Sequence, residues 1–321
     1  MFIINNKNGS VLKIVSLSVQ SVFRGYAQVL LQNSILTGMF FFLAVSVTAY
    51  EFHRPEVFYY SVIGAILSPV LAWFLGYPRE EISQGLWGYN AILYSIAVSA
   101  FLPFSIQSQF LLIVGIMGIV LFTPLLSRVL RGFPVLTIPF ILATWGVCIV
   151  TGRGYSAPSP VENSIFFLIP ADYVRSVINN FLEIFLLSGT KGGILVMVGL
   201  FFSCRKVFFM SVVISCISTL ISCFDSSSTL EHVTEGLYGY NIVLTMVAIY
   251  LFSGPRKSIS IIFGTLAIVM TFLGNVAFSP LLSYVSLPLL TLPFVISSWL
   301  FILAQRFFGN VRDTVTDTST K

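Results

Sequence analysis

The sequence predicts an all-α polytopic membrane protein made of two inverted-topology repeats of about five transmembrane helices each. Three observations carry that prediction: a composition too apolar for water, a series of apolar runs of near-spanning length, and a set of motifs that returns once in the second half. Of the 321 residues, 56% are hydrophobic and only 9% charged, against about 25% charged in soluble domains. Phe alone occurs 31 times. A chain of this kind cannot clothe itself in polar surface, so lipid is the solvent for most of it.

The runs follow in order. In the first half they lie near 34–50, 57–77, 86–104, 109–126 and 133–151, and in the second near 192–203, 207–224, 236–252, 258–278 and 287–305. Spanning requires about 20 residues, so several are short. Each half opens on an apolar segment interrupted by polar groups, 15–33 with Arg24 and Gln28, and 166–187 with Asp172, Arg175 and Glu183. Such groups are costly against lipid. Both segments are therefore expected to be helices packed against protein, and tilted, re-entrant and half-spanning arrangements all satisfy that requirement. The Gly-, Pro- and Ser-rich GRGYSAPSPVEN at 152–163 reads as a linker. The expected organisation is an N-terminal tail (1–14), a first membrane repeat (15–151), a linker (152–164), a second repeat (165–308) and a C-terminal tail (309–321). The opening MFIINNKNGS lacks the compact apolar stretch and cleavage site of a signal peptide, so insertion is expected to be driven by the first membrane helix.

The duplication is visible directly. GLWGYN at 85–90 returns as GLYGYN at 236–241, LTIPF at 136–140 as LTLPF at 290–294, and Trp145 as Trp299; Gln28 and Gly38 correspond to Glu183 and Gly193. All the offsets fall between 151 and 155 residues. An odd number of spans per half inverts the second repeat. With the N-terminus on one side, that side carries all of the 17 Lys and Arg except Arg54, Arg153, Arg175 and Lys191. The positive-inside rule then puts both termini in the cytoplasm. Inverted repeats place a substrate path near the bilayer midplane.

Three constellations could carry chemistry. Thr137 and Thr291 each stand two residues before a proline, Pro139 and Pro293. Proline frees a backbone carbonyl, so two half-length or broken helices could offer hydroxyls and carbonyls to a path; kinked packing is the competing reading. Glu183 and Gln28 occupy equivalent places, and an intramembrane carboxylate marks function by default, although it could instead belong to a structural ion pair. The aromatic residues Trp87, Tyr89, Tyr238 and Tyr240 could form a slot for a planar solute or an interfacial belt. Asn90 and Asn241 read as helix ties.

Other functions lack residues. Two histidines, His53 and His232, lie far apart with no ligand-spaced companion, so neither a metal site nor another cofactor is expected. The four cysteines form no CxxC pair and read as small buried hydrophobes. The net charge of +5 sits in short loops with no basic stripe for nucleic acid. No P-loop, no Ser–His–acid set and no nucleotide domain is present, which argues against an enzyme or a pump.

The doubled GLxGYN and LTxPF motifs, with QVLLQN before the first span, resemble the urea transporter family over essentially residues 15–308. The resemblance implies ten spanning helices and one tilted half-helix per repeat, enclosing one pore per protomer of a homotrimer in the bacterial inner membrane. It implies passive, channel-like movement of urea through a narrow filter. Gln28 and Glu183 match the polar end sites, Thr137 and Thr291 the middle, and Tyr89 and Tyr240 with Leu93 and Leu244 the apolar slot. The family often has Phe where this chain has those tyrosines, and Gln32 has no polar counterpart at Leu187. Urea and membrane lipid are the expected partners. Passage of another small neutral solute, such as ammonia or a short amide, is the alternative.

Overall fold

A computed structural model describes residues 19–154, 168–223, 229–254 and 257–318. The expected N-terminal tail and most of the linker lie outside these residues. The described chain is built from helices, each of which has a counterpart in the other half. α1 (19–28) corresponds to α8 (Pro170–Leu182), α2 (Ile35–Glu51) to α9 (Thr190–Ser203), and α3 (Pro55–Phe74) to α10 (Arg205–Ser222). The short α4 (Arg79–Ser83) corresponds to α11 (Leu230–Glu235), α5 (Tyr89–Phe101) to α12 (Tyr240–Phe252), α6 (Ile106–Val129) to α13 (Lys257–Tyr284), and α7 (Ile138–Thr151) to α14 (Leu292–Thr318). α14 runs past residue 308, so the expected tail begins inside a helix.

Local signals set the helix starts. Ser34 accepts from the Thr37 amide to cap α2, Ser105 and Ser108 form a capping box on α6, and Pro55, Pro139 and Pro170 stand in first turns, where their missing N–H costs nothing. Among the described residues, α3, α6, α10, the stretch Leu230–Phe252 and Ser258–Tyr284 are long and apolar enough to cross a membrane. α8 with its following turn and α9 form a sixth candidate bent by 77°. α2, α5 and α7 are shorter apolar helices. α7, with 14 residues, reaches about 21 Å, short of a hydrocarbon core of about 30 Å.

α5 and α12 form the centre. Every residue from Asn90 to Ser99 is buried, as is nearly every residue of α12 from Tyr240 to Ile249, so both helices are enclosed on all faces. α3 packs on α5 and α10 on α12, while α2 against α9 and α7 against α14 join the halves. α6 and α13 lie outermost, with Phe110, Phe122, Ile261 and Leu266 exposed, as suits a surface solvated by lipid. The glycines of GLxGYN have a packing cause. Gly85 (φ +79°) and Gly236 (φ +92°) are left-handed, and a Cβ there would lie 2.4 Å from the Arg24 carbonyl carbon and 2.5 Å from that of Asn179. The motif thus lets the turn before α5 press onto α1, and its copy press onto α8. This contact also delays α5 and α12 to Tyr89 and Tyr240, later than the apolar runs at 86 and 236 suggest.

Candidate functional site

The LTxPF motifs form the turns that start α7 and α14. Leu136 (φ 50°) and Leu290 (φ 49°) are left-handed there, a conformation that costs a non-glycine residue on the order of 1–3 kcal/mol and needs surrounding structure to hold it. The holding groups are symmetric. The Leu136 carbonyl accepts from Tyr89 Oη at 2.6 Å and Asn90 Nδ2 at 3.1 Å, and the Leu290 carbonyl accepts from Tyr240 Oη at 2.6 Å and Asn241 Nδ2 at 3.1 Å. Both lone pairs of each oxygen are thereby used. Trp145 Nε1 donates to the Pro288 carbonyl at 2.9 Å, and Trp299 Nε1 to the Pro134 carbonyl at 2.8 Å, crossing between the halves. Pro139 and Pro293 sit in first turns and break no helix, and the four carbonyls just described already have donors. The carbonyls four residues before Pro139 and Pro293, those of Val135 and Leu289, accept from Ile138 N at 3.3 Å and Leu292 N at 3.4 Å.

These braces bring the two N-terminal ends together. Thr137 caps α7 without bonding its own helix, and its Oγ1 lies 2.7 Å from Thr291 Oγ1. Both side chains are buried. The kinked-packing alternative, in which each threonine bonds back to its own helix, does not describe this contact. The pair lies where the repeat axis must pass, because the two residues are equivalent and touch.

The short helices α1 and α8 end in matching left-handed leucines, Leu31 (φ 57°) after α1 and Leu186 (φ 56°) after α8. Gln28, in the last turn of α1, is buried and donates from Nε2 to the Gln84 carbonyl at 3.0 Å, just before the GLWGYN turn. Glu183 is the C-cap of α8 and opens a 3-10 turn that packs against α12, the helix carrying Tyr240 and Leu244. It is 8% exposed. Its side chain takes part in no hydrogen bond or ion pair among the described residues, where the ion pairs are Arg54–Glu56 and Lys191–Glu51. The ion-pair reading of Glu183 therefore has no partner there. A buried carboxyl group at the negative end of a helix, with acceptor positions unfilled, calls for N–H donors.

Leu93 and Leu244 are fully buried one turn beyond Tyr89 and Tyr240, on the same helix faces. Trp87 belongs elsewhere: it stacks on Tyr77 at 4.2 Å, donates to Glu81 and packs with Ala72 and Val120, which is ordinary packing. Three contributors escaped the sequence reading. Gln84 and Glu235 are equivalent neighbours of Gln28 and Glu183, and the repeat offset could have found them. Asn275, which accepts from Asn241 Nδ2 at 3.1 Å, has Pro124 as its equivalent at the GLxGYN offset and left no signal in the repeat.

Two helix N-terminal ends abutting at a hydroxyl pair, inside a duplicated apolar helical bundle, point to a polytopic membrane transport protein. The model of a family described as urea transporter matches residues 19–306. The chain belongs to the urea transporter family, and its role is transport of urea across a membrane rather than catalysis.

Proposed function

We propose that the chain is a passive, channel-like conduit for urea, with the Thr137–Thr291 pair at the middle of its filter. The 2.7 Å contact between these equivalent hydroxyls is the observation that carries the reading. One bond between them uses one donor and one lone pair, which leaves three lone pairs and one O–H to meet a solute. Urea is planar and neutral, with four N–H donors and a carbonyl. Its donors would bond Glu183 at one end of the filter and the amide oxygen of Gln28 at the other, and pass the threonines between. Leu93 and Leu244, with the ring faces of Tyr89 and Tyr240, would hold it edgewise and offer an ion nothing to replace its hydration. Weak sites in series favour transit over retention. The same reading includes a homotrimer in a bacterial inner membrane with cytoplasmic termini. Stopped-flow urea uptake into proteoliposomes tests it: saturation only at high urea with no dependence on an ion gradient is expected. Uptake no faster than in empty vesicles would overturn it, and faster passage of ammonia or short amides than of urea would favour the alternative solute.

A further inference from the structure

We propose that the groove between α1, α3 and α4 is a binding site for one anionic phospholipid. It has a volume of about 360 Å3, within the range of about 300–1,000 Å3 typical of ligand sites. Its walls are Val22 of α1, Ile66, Val70 and Trp73 of α3, and Ile82 of α4. Pro69, within α3, also lines it. Ile66, Val70 and Trp73 are exposed.

Charge selects the occupant. In the one turn of α4, residues 79, 82 and 83 share a face, and all three line the groove. Arg79 is therefore the charge presented on that face. It is exposed and makes no hydrogen bond or ion pair among the described residues. Glu80 and Glu81 are not among the lining residues: Glu80 accepts from Gln84 Nε2 at 3.3 Å and Glu81 from Trp87 Nε1 at 3.1 Å. A second cation stands behind, where Arg24 donates to the carbonyl of Ser83, itself a groove residue, at 2.9 Å. An apolar trough with a free guanidinium at its rim matches an acyl chain and a phosphodiester, and basic pockets between membrane helices bind such head groups. Trp73 flanks the rim as interfacial aromatic residues do.

The site is independent of the urea reading, and its test counts lipid rather than flux. Protein purified in mild detergent and delipidated is titrated with phosphatidylglycerol or phosphatidylcholine and weighed by native mass spectrometry. One phosphatidylglycerol should bind per chain in preference to phosphatidylcholine. Arg79→Gln should weaken that binding about fivefold, Val70→Trp should abolish it by filling the groove, and Arg128→Gln, at the end of α6, should leave it unchanged. Equal binding of both lipids, unchanged binding in Arg79→Gln, or equal loss in Arg128→Gln would overturn the proposal. So would a change in oligomeric mass in Val70→Trp without loss of lipid, because the groove would then seat a second copy of the chain.

Discussion

At the scale of single residues, what distinguishes this site is which polar atoms are already satisfied. The carbonyls of Leu136 and Leu290 are full, the threonine hydroxyls are half used, and the Glu183 carboxyl has no hydrogen-bond or ion-pair partner among the described residues. Substitution should follow that order. Thr137→Val or Thr291→Val removes one hydrogen-bonding group, worth about 0.5–1.5 kcal/mol, and should slow urea uptake from a few-fold to about tenfold. The double variant should fall short of the product of the two, because the residues share one contact. Glu183→Leu should cost more, with about 1.5–3 kcal/mol for a bond to a charged group, and Glu183→Gln should recover part of the rate. Uptake and melting temperature measured together decide the role: a melting loss without a specific uptake defect would make Glu183 structural. Much of this was legible in the sequence because Thr137, Thr291, Gln28 and Glu183 stand at repeat-equivalent places. That the Leu136 carbonyl is saturated was not, because its donors lie 46 and 47 residues away and only tertiary packing brings them to it.

At the scale of elements, backbones rather than side chains set the positions of the short helices α1 and α8. The GLxGYN turns press onto α1 and α8, and these contacts admit no Cβ. Gly236→Ala places a methyl 2.5 Å from the Asn179 carbonyl carbon at a φ of +92°. It should lower stability by more than about 1 kcal/mol, seen as a lower melting temperature in detergent. Trp145→Phe keeps an aromatic ring but strands the Pro288 carbonyl, with an expected cost of about 1–3 kcal/mol and a slower filter, since that carbonyl lies three residues before Thr291. The apolar runs located the helices well, because hydropathy reports burial in lipid or protein alike. They missed the starts of α5, α7, α12 and α14, where an apolar stretch such as Val135–Leu136 is a turn held by distant donors. Hydropathy does not distinguish such a turn from a helix.

At the scale of the whole molecule, inversion makes two similar halves face opposite sides, and this can be read chemically. Glu80 on α4 and Glu231 on α11 are both exposed and lie on equivalent short helices. A cysteine at Glu231 should react with a membrane-impermeant maleimide in intact cells, and one at Glu80 only after permeabilisation. The reverse pattern would turn the molecule over, and equal reactivity would refute inversion. Collapsing the proton gradient should leave equilibrative urea uptake unchanged, and a loss of uptake would point to coupled transport. The Trp145–Pro288, Trp299–Pro134 and Thr137–Thr291 contacts, with sequence separations of 143, 165 and 154, also bear on biogenesis. A ribosome adding 5–20 residues per second needs on the order of ten seconds to supply the later partner. Through that interval the first half can close its own tyrosine–asparagine clamp on Leu136, yet Thr137 waits for a partner still unmade. Nascent chains arrested before α14 should therefore be inserted but protease-sensitive around Pro134, and protection should arrive in one step when Trp299 leaves the translocon.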